Sequence, residues 1–280
     1  MGIFDGCIIA CDVDGTFMDN GYINPRNAKS IEYFLSQGGK FSLSTGRSQA
    51  ALGDVMNAVK TLSPSVLANG TLIYDFDKKE YLFFASLCKE DKDLTKFVCE
   101  NFPDVGIEIH SGETVFTPNQ TEETSAHENY EHFISKKVNL ETAEKSDWNK
   151  VIYMFCGKER LKAVLPVLEE QIKDSRLVET SVIIDGKRRY YCEQVPNGVS
   201  KASSLKRLCE MLKIKKGGFF AIGDYYNDLE MIKNADISAC PENAPEDVKQ
   251  FATVTVCSVH DGAVADFIEY LKNNFQSERK

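Results

Sequence analysis

The stretch CIIACDV, Cys7 to Val13, runs apolar without alternation until Asp12. A strand written this way is covered on both faces, and such strands belong to parallel sheets flanked by helices. The following residues keep to that plan. Asn24 and Pro25 read as an N-cap with proline in the first helical position, and RNAKSIEYFLSQGG carries apolar residues at helical spacing until Gly38 and Gly39 stop it. KFSLST reads as the next strand, SQAALGDVMNAVKTL as the next helix, and SVLAN as a third strand ending at Asn69-Gly70. The expectation is a βαβαβ unit.

From Thr71 the pattern changes. TLIYDFD and EYLFFAS alternate about DKK like an antiparallel hairpin, and from about Leu82 to Tyr191 strand and helix signals mix in the order of an α+β module. One of its helices contains Pro166, which weakens helix continuity. After VPNGVSK the strand and helix alternation returns and runs to a last helix from Gly262 to Asn273. The expected organisation is an α/β parallel-sheet core from 1–81 and 193–280, with a second domain inserted over 82–192.

Composition limits the partners. The 280 residues carry a formal charge of -9 and no Lys/Arg-rich run, a field that repels nucleic acid and anionic membrane. No apolar stretch approaches the roughly 20 residues that span a bilayer, and the first residues lack the pattern of a secretory leader. The reading is a cytoplasmic protein with no membrane or nucleic-acid partner; its oligomeric state cannot be read from the sequence. Nine scattered cysteines with no CxxC pair read as reduced, small apolar side chains, and the four histidines lie near no cysteine in sequence and do not pair with one another there.

Parallel sheets bind ligands beyond the carboxyl ends of their strands. Four polar clusters stand at such ends: Asp12 with Asp14, Ser44 to Arg47 (STGR), Asn69-Gly70, and Gly223 to Asp228 (GDYYND). They should meet at one edge. Two carboxylates beside a turn at Gly15, joined by Asp224, would repel one another unless a cation neutralised them, and an all-oxygen donor set suits Mg²⁺. Thr45, the backbone N–H groups around Gly15 and Gly46, and the Lys201 ammonium would complete a phosphate cradle. Taken singly, each of these residues also has an ordinary structural use: a turn at Asp14-Gly15, a helix entry at Thr45-Gly46, a helix cap at Asp228.

In this order, DVDGTF, STGR, the lysine of PNGVSK and GDYYNDLEMIKNA resemble the four motifs of the haloacid dehalogenase (HAD) superfamily of phosphotransferases. The inserted block is similar to the C2B cap of its Cof-type branch, subfamily IIB, and the closing segments PENAPEDVKQFATVTV and DGAVADFIEYL extend the resemblance over the whole chain. The resemblance implies a Rossmann-like core with an α+β cap that chooses the substrate. It implies Asp12 as nucleophile, forming an aspartyl-phosphate, and Asp14 as the acid and base of the two half-reactions. It implies Mg²⁺ held by Asp12, the Asp14 backbone carbonyl and Asp224 with support from Asp228, and a transferring phosphoryl held by Thr45 and Lys201, with Arg47 and Asn227 as further contacts. The implied reaction is phosphate release from a small phosphorylated metabolite, a sugar phosphate by default. The chain departs from the family's pattern at Cys240-Pro241-Glu242, where a methionine-glycine often precedes Asn-Ala.

Two rival readings share these residues. A phosphosugar mutase would need something to grip a second phosphate, for which Lys187, Arg188 and Arg189 are the candidate, although their DGKRR setting reads as a solvated hairpin turn. A signalling receiver would be phosphorylated on aspartate as a switch, but Asp14 and the inserted block argue against it. Outside the motifs, the aromatics of 151–155 and 219–220 read as core, and Glu122, Glu123, Glu128 and Glu131 as a solvated helix face.

Overall fold

A computed structural model describes residues 2–59 and 62–275. They fall into two compact units, one of Met1–Gly46, Leu52–Leu82 and Ser200–Lys280, the other of Arg47–Ala51 and Phe83–Val199. Among the described residues no helix is long and apolar enough to cross a membrane.

The first unit opens with β1 (Ile8–Cys11), buried at every residue as its unbroken apolar run requires. Helix α1 (Pro25–Ser36) begins where Asn24 accepts the Arg26 N–H and Pro25 takes the first turn, and it returns the chain to β2 (Lys40–Leu43), parallel to β1. The helix expected over SQAALGDVMNAVKTL is reduced to a 3₁₀ turn at Gln49–Ala51 and α2 (Gly53–Ala58), whose N-cap Leu52 has no side chain to offer the first N–H groups. The expected continuation at Lys60 and Thr61 lies outside the described residues.

β3 (Ser65–Leu67) departs from the expected βαβαβ unit. It touches the parallel sheet through one bridge, Ser44 to Val66, and otherwise pairs antiparallel with β4 (Leu72–Asp75), beside which runs β5 (Glu80–Phe84). The cause is the turn between them. Ala68 and Asn69 have left-handed φ values of 49° and 56°, and Gly70 follows at 100°, so the chain reverses at once instead of crossing over.

The second unit holds α3 (Lys89–Asn101), β6 (Gly106–Ser111), β7 (Thr114–Asn119), α4 (Glu122–Glu131), α5 (Leu140–Ala143), β8 (Lys150–Phe155), α6 (Lys158–Glu169), β9 (Ser175–Ile184) and β10 (Lys187–Pro196). Its five strands form an antiparallel sheet in the order β7-β6-β8-β10-β9. The unit extends to Val199, beyond the expected 192, because β10 stays paired to β9 as far as Pro196. One sheet face packs Ile107, Ile109, Val151, Tyr153 and Phe155 against Leu94 and Val98 of α3 and Leu161, Val164 and Leu168 of α6, around a buried Trp148. Pro166 is tolerated in α6 because it sits on the exposed side, where the carbonyl it leaves unpaired can meet water.

The other face overturns the solvated reading of α4. Glu123 is buried and bonded to Arg189, itself buried, while Glu128 is bonded to Lys137 and Ser135. Lys187 reaches both Glu122 and Glu123, so two of the three cations of the DGKRR segment are paired with α4 rather than simply solvated. His127 lies between Glu108 (2.9 Å) and Glu131 (3.5 Å), and His110 stands 3.6 Å from the same Glu108. Burial alone would push the His127 pKa down; the charge of Glu108, then that of Glu131, outweighs it and raises the pKa to about 10.

A group raised on folding contributes stability that is complete below its ordinary pKa and is lost as pH rises through the folded value. Stability is therefore expected to fall between neutral pH and about pH 10, and His127→Gln should flatten that part of the profile. Urea midpoints of the two proteins at pH 7 and pH 9.5 check this; equal alkaline losses would contradict it.

Returning to the first unit, the chain forms α7 (Lys201–Met211), β11 (Phe219–Ile222), α8 (Leu229–Asn234), β12 (Ile237–Pro241), α9 (Glu246–Lys249), β13 (Val254–Val256) and α10 (Ala263–Asn274). The parallel sheet has the order β13-β12-β11-β1-β2, with α1 and α10 packed together. Of the aromatics expected in the core, Tyr153, Phe155 and Phe220 are wholly buried, whereas Phe219, at the start of β11, is half-buried.

Candidate active site

The register of the parallel sheet brings three chain segments to one edge. Cys11 at the end of β1 pairs with Ile222 of β11 on one side and Leu43 of β2 on the other, so the next residues on each strand emerge side by side. Asp12 extends the ladder by donating its N–H to the Ile222 carbonyl (2.9 Å). The chain then turns, with the N–H groups of Phe17 and Met18 both bonded to the Val13 carbonyl. Gly15 has φ 79°, and a Cβ there would stand 2.4 Å from Asp224 Oδ2, so two separate constraints demand glycine.

Asp12, Asp224 and Asp228 each offer a carboxylate oxygen within 4.8 Å of the others. The Lys201 ammonium, buried at the first position of α7, bonds Asp12 Oδ1 at 2.6 Å and Asp228 Oδ1 at 2.7 Å. Ser200 caps this helix through Ser203, which leaves the lysine side chain free to serve the carboxylates. Asp228 is fully buried, and its other oxygen accepts the N–H groups of Asp224 (3.2 Å) and Tyr225 (3.3 Å). With both oxygens so engaged, Asp228 orients Lys201 and the Asp224 backbone. Thr16, to which the sequence reading gave no role, donates its hydroxyl to Asp224 Oδ1 (3.0 Å); its only signal was its place in the DGT turn.

Three carboxylates, those of Asp12 and Asp228 buried and that of Asp224 half-buried, leave an excess of negative charge around one ammonium. Burial, then repulsion from Asp228, pushes the Asp12 carboxyl well above the usual carboxylate range and the Asp224 carboxyl up to about 7, against the pull of Lys201. In turn Asp12 and Asp228 hold the Lys201 ammonium more firmly protonated than burial alone would allow. A donor set of carboxylate oxygens that is short of positive charge fits a hard divalent cation.

The other candidates occupy distinct positions. Thr45 is buried beyond the end of β2, its N–H bonded to the Val66 carbonyl and its carbonyl to the Asn69 N–H. Gly46 faces the Asn69 side chain, and Gly70 lies so close to the start of α7 that a Cβ would meet the Ser200 carbonyl oxygen at 2.2 Å. The Asn69-Gly70 turn thus packs the third polar cluster against Lys201's helix. Asp14 is exposed beside Gly15, and its carboxylate is not one of the clustered three. Asn227 is exposed on the 3₁₀ turn Tyr226–Asp228. Arg47 falls in the second unit, where it is buried and its guanidinium donates to the Ala51 carbonyl (2.9 Å).

Comparison with known proteins agrees with this geometry. A family model described as haloacid dehalogenase-like hydrolase matches residues 9–268. A Mycoplasma pneumoniae relative named provisionally as a phosphatase is 26% identical over 266 residues, covering 87% of this chain and 88% of that one. A Bacillus subtilis 5-amino-6-(5-phospho-D-ribitylamino)uracil phosphatase is 25% identical over 291 residues, covering 94% and 97%. The solved structure of a HAD subclass IIB sugar phosphatase superposes with a TM-score of 0.79 at 18% identity, over 95% of this chain and 99% of that one.

Proposed function

Because the chain belongs to the haloacid dehalogenase-like hydrolases and is an enzyme of their phosphatase class, we propose that it is a Mg²⁺-dependent phosphatase. Its substrate would be a small phosphate monoester, and its intermediate an aspartyl-phosphate on Asp12. The observation that carries this reading is the clustered Asp12, Asp224 and Asp228 triad with Lys201 between two of its members.

Asp12, with one oxygen held by Lys201, attacks phosphorus through the other; the bond from phosphorus to the leaving oxygen breaks, and the Asp14 carboxyl gives that oxygen its proton. Asp14, now a carboxylate, takes a proton from water as the water attacks phosphorus, which releases orthophosphate and restores Asp12. Thr45 and Lys201, with a backbone N–H at Gly46, hold the equatorial oxygens as charge gathers on them; the Gly15 N–H is not assigned this part, because it is bonded to the Met18 carbonyl. Asp12, Asp224 and the Asp14 carbonyl, with Asp228 behind them, would hold Mg²⁺, which when bound supplies electrostatic stabilisation of the transferring phosphoryl group. Asn227 and Arg47 are assigned contacts to substrate; one arm of the Arg47 guanidinium donates to the Ala51 carbonyl (2.9 Å).

The second unit is the part assigned to substrate choice. A sugar phosphatase and a phosphoribityl-compound phosphatase stand among the similar proteins, and their substrates share a phosphorylated polyhydroxyl chain, the class proposed here. The mutase reading loses support: two of the cations that might grip a second phosphate, Lys187 and Arg189, are paired with glutamates of α4.

Phosphate release from a panel of sugar phosphates, sugar-alcohol phosphates, nucleotides and p-nitrophenyl phosphate tests the proposal. Turnover with Mg²⁺ and none with EDTA is expected. Absence of release from every compound, or release unaffected by EDTA, would contradict it.

A further inference from the structure

Asn243, in the turn after β12, joins two loops through one side-chain amide. Its Oδ1 accepts the Val259 N–H at 2.9 Å, and its Nδ2 donates to the Gly15 carbonyl at 2.8 Å. A backbone N–H can only donate, so the amide oxygen must face Val259 and the NH₂ must face Gly15; the two contacts fix the orientation of the amide together. The turn that carries Asn243 is itself pinned. The Glu242 N–H bonds the Val256 carbonyl, the Ala244 N–H bonds the Pro241 carbonyl, and Ala244 is buried against Ile232, Cys240 and Val248.

The other end of the contact is the glycine of the DVDGT loop. Gly15 lacks a Cβ, takes φ 79°, and stands between Asp14 and Thr16. On its N-terminal side the Gly15 N–H bonds the Met18 carbonyl (2.8 Å), and on its C-terminal side Thr16 is tied to Asp224. The peptide between Gly15 and Thr16 is held at both ends: its N–H donates to the Val13 carbonyl over a long 3.4 Å, and its carbonyl accepts the much shorter bond from Asn243. A glycine torsion left to itself is loosely defined, so a fixed donor on its carbonyl narrows the directions in which the preceding residue can point.

We infer that Asn243 is a positioning residue: by holding the Gly15 carbonyl it sets the direction of the Asp14 carboxyl toward the leaving oxygen of the substrate. The inference rests on the proposed role of Asp14 as general acid. It goes beyond that role by assigning the Asn243 side chain, which follows the divergent Cys240-Pro241-Glu242 segment, to the proton-transfer step alone.

The test separates proton donation from general damage. An alkyl phosphate such as glycerol phosphate needs its leaving oxygen protonated, whereas p-nitrophenyl phosphate releases a stabilised phenolate and needs little help. Full-length Asn243→Ala should lower kcat on glycerol phosphate about tenfold, a fraction of what a general acid supplies, while kcat on p-nitrophenyl phosphate and both KM values change less than about twofold. Asn243→Asp keeps the acceptor for Val259 but turns a carboxylate toward the Gly15 carbonyl, so its loss on glycerol phosphate should be at least as large; it is the variant to measure if the alanine protein does not fold. Asp14→Asn is the reference and should show the same split in stronger form. Equal losses on both substrates, or no loss, in the Asn243 variants beside a clear split in Asp14→Asn would overturn the inference alone. No split in Asp14→Asn would overturn the acid assignment and the inference with it.

Discussion

Asp12→Asn is expected to lower kcat by about 10⁴-fold or more, because an amide cannot take the nucleophile's part and no other carboxylate of the triad can replace it. Asp228 has both oxygens committed to Lys201 and backbone N–H groups, and Asp224 is bonded by Thr16. The fold should survive. The substitution removes one of three crowded carboxylates while Lys201 keeps its bond to Asp228, so charge repulsion falls. Without divalent cation the variant should melt no lower than the wild type. Phosphate-release kinetics together with thermal melts in EDTA check both halves; near-normal turnover would refute the assignment of Asp12.

Lys201→Ala has the second largest expected effect, and it acts on stability as well as on rate. The ammonium supplies positive charge among three clustered carboxylates, bonding directly the two that are buried. Removing one partner of a buried ion pair typically costs about 3–5 kcal/mol, and here the remaining carboxylates can lower that cost by taking up protons. The loss should therefore be smaller at pH 5 than at pH 8, and Mg²⁺ should restore part of it by replacing the missing charge. The kcat should fall about 10³-fold, since the phosphoryl group also loses a donor. Urea unfolding at the two pH values, with and without Mg²⁺, reads the first prediction and steady-state kinetics the second. A variant as stable as wild type at pH 8 in EDTA would show that the lysine does not neutralise the cluster.

The parts of this molecule that sequence made legible are those whose meaning is local. The unbroken apolar run of β1 predicted a strand covered on both faces, and every residue of it is buried. Asp12 directly follows β1 and Asp224 stands two residues past the end of β11, so placing the strands in one parallel sheet brought them together. Asn24 and Pro25 marked the start of α1 through cap chemistry alone.

What could not be read depends on partners distant in sequence or on backbone torsions. β3 read as a parallel strand because its composition fits one, and the left-handed turn at Ala68 and Asn69 gave no signal in residues other than Gly70. The glutamates of α4 looked solvated because Arg189 and Glu108, which fix the charges on that face, lie on strands far away in the chain. Arg47, one residue past Thr45-Gly46, looked like part of the phosphate loop. In the structure it groups with the second unit and donates to the Ala51 carbonyl, a tether that no motif encodes.

The central claim is that Asp12 becomes phosphorylated during turnover. The most direct measurement is to mix the enzyme with Mg²⁺ and a substrate it turns over, quench within milliseconds, and treat with borohydride, which reduces an acyl phosphate to an alcohol. Peptide mass spectrometry should then find homoserine at position 12 and at no other aspartate, with none in a control lacking substrate. Aspartate left intact at position 12, or reduction at another carboxylate, would contradict the account.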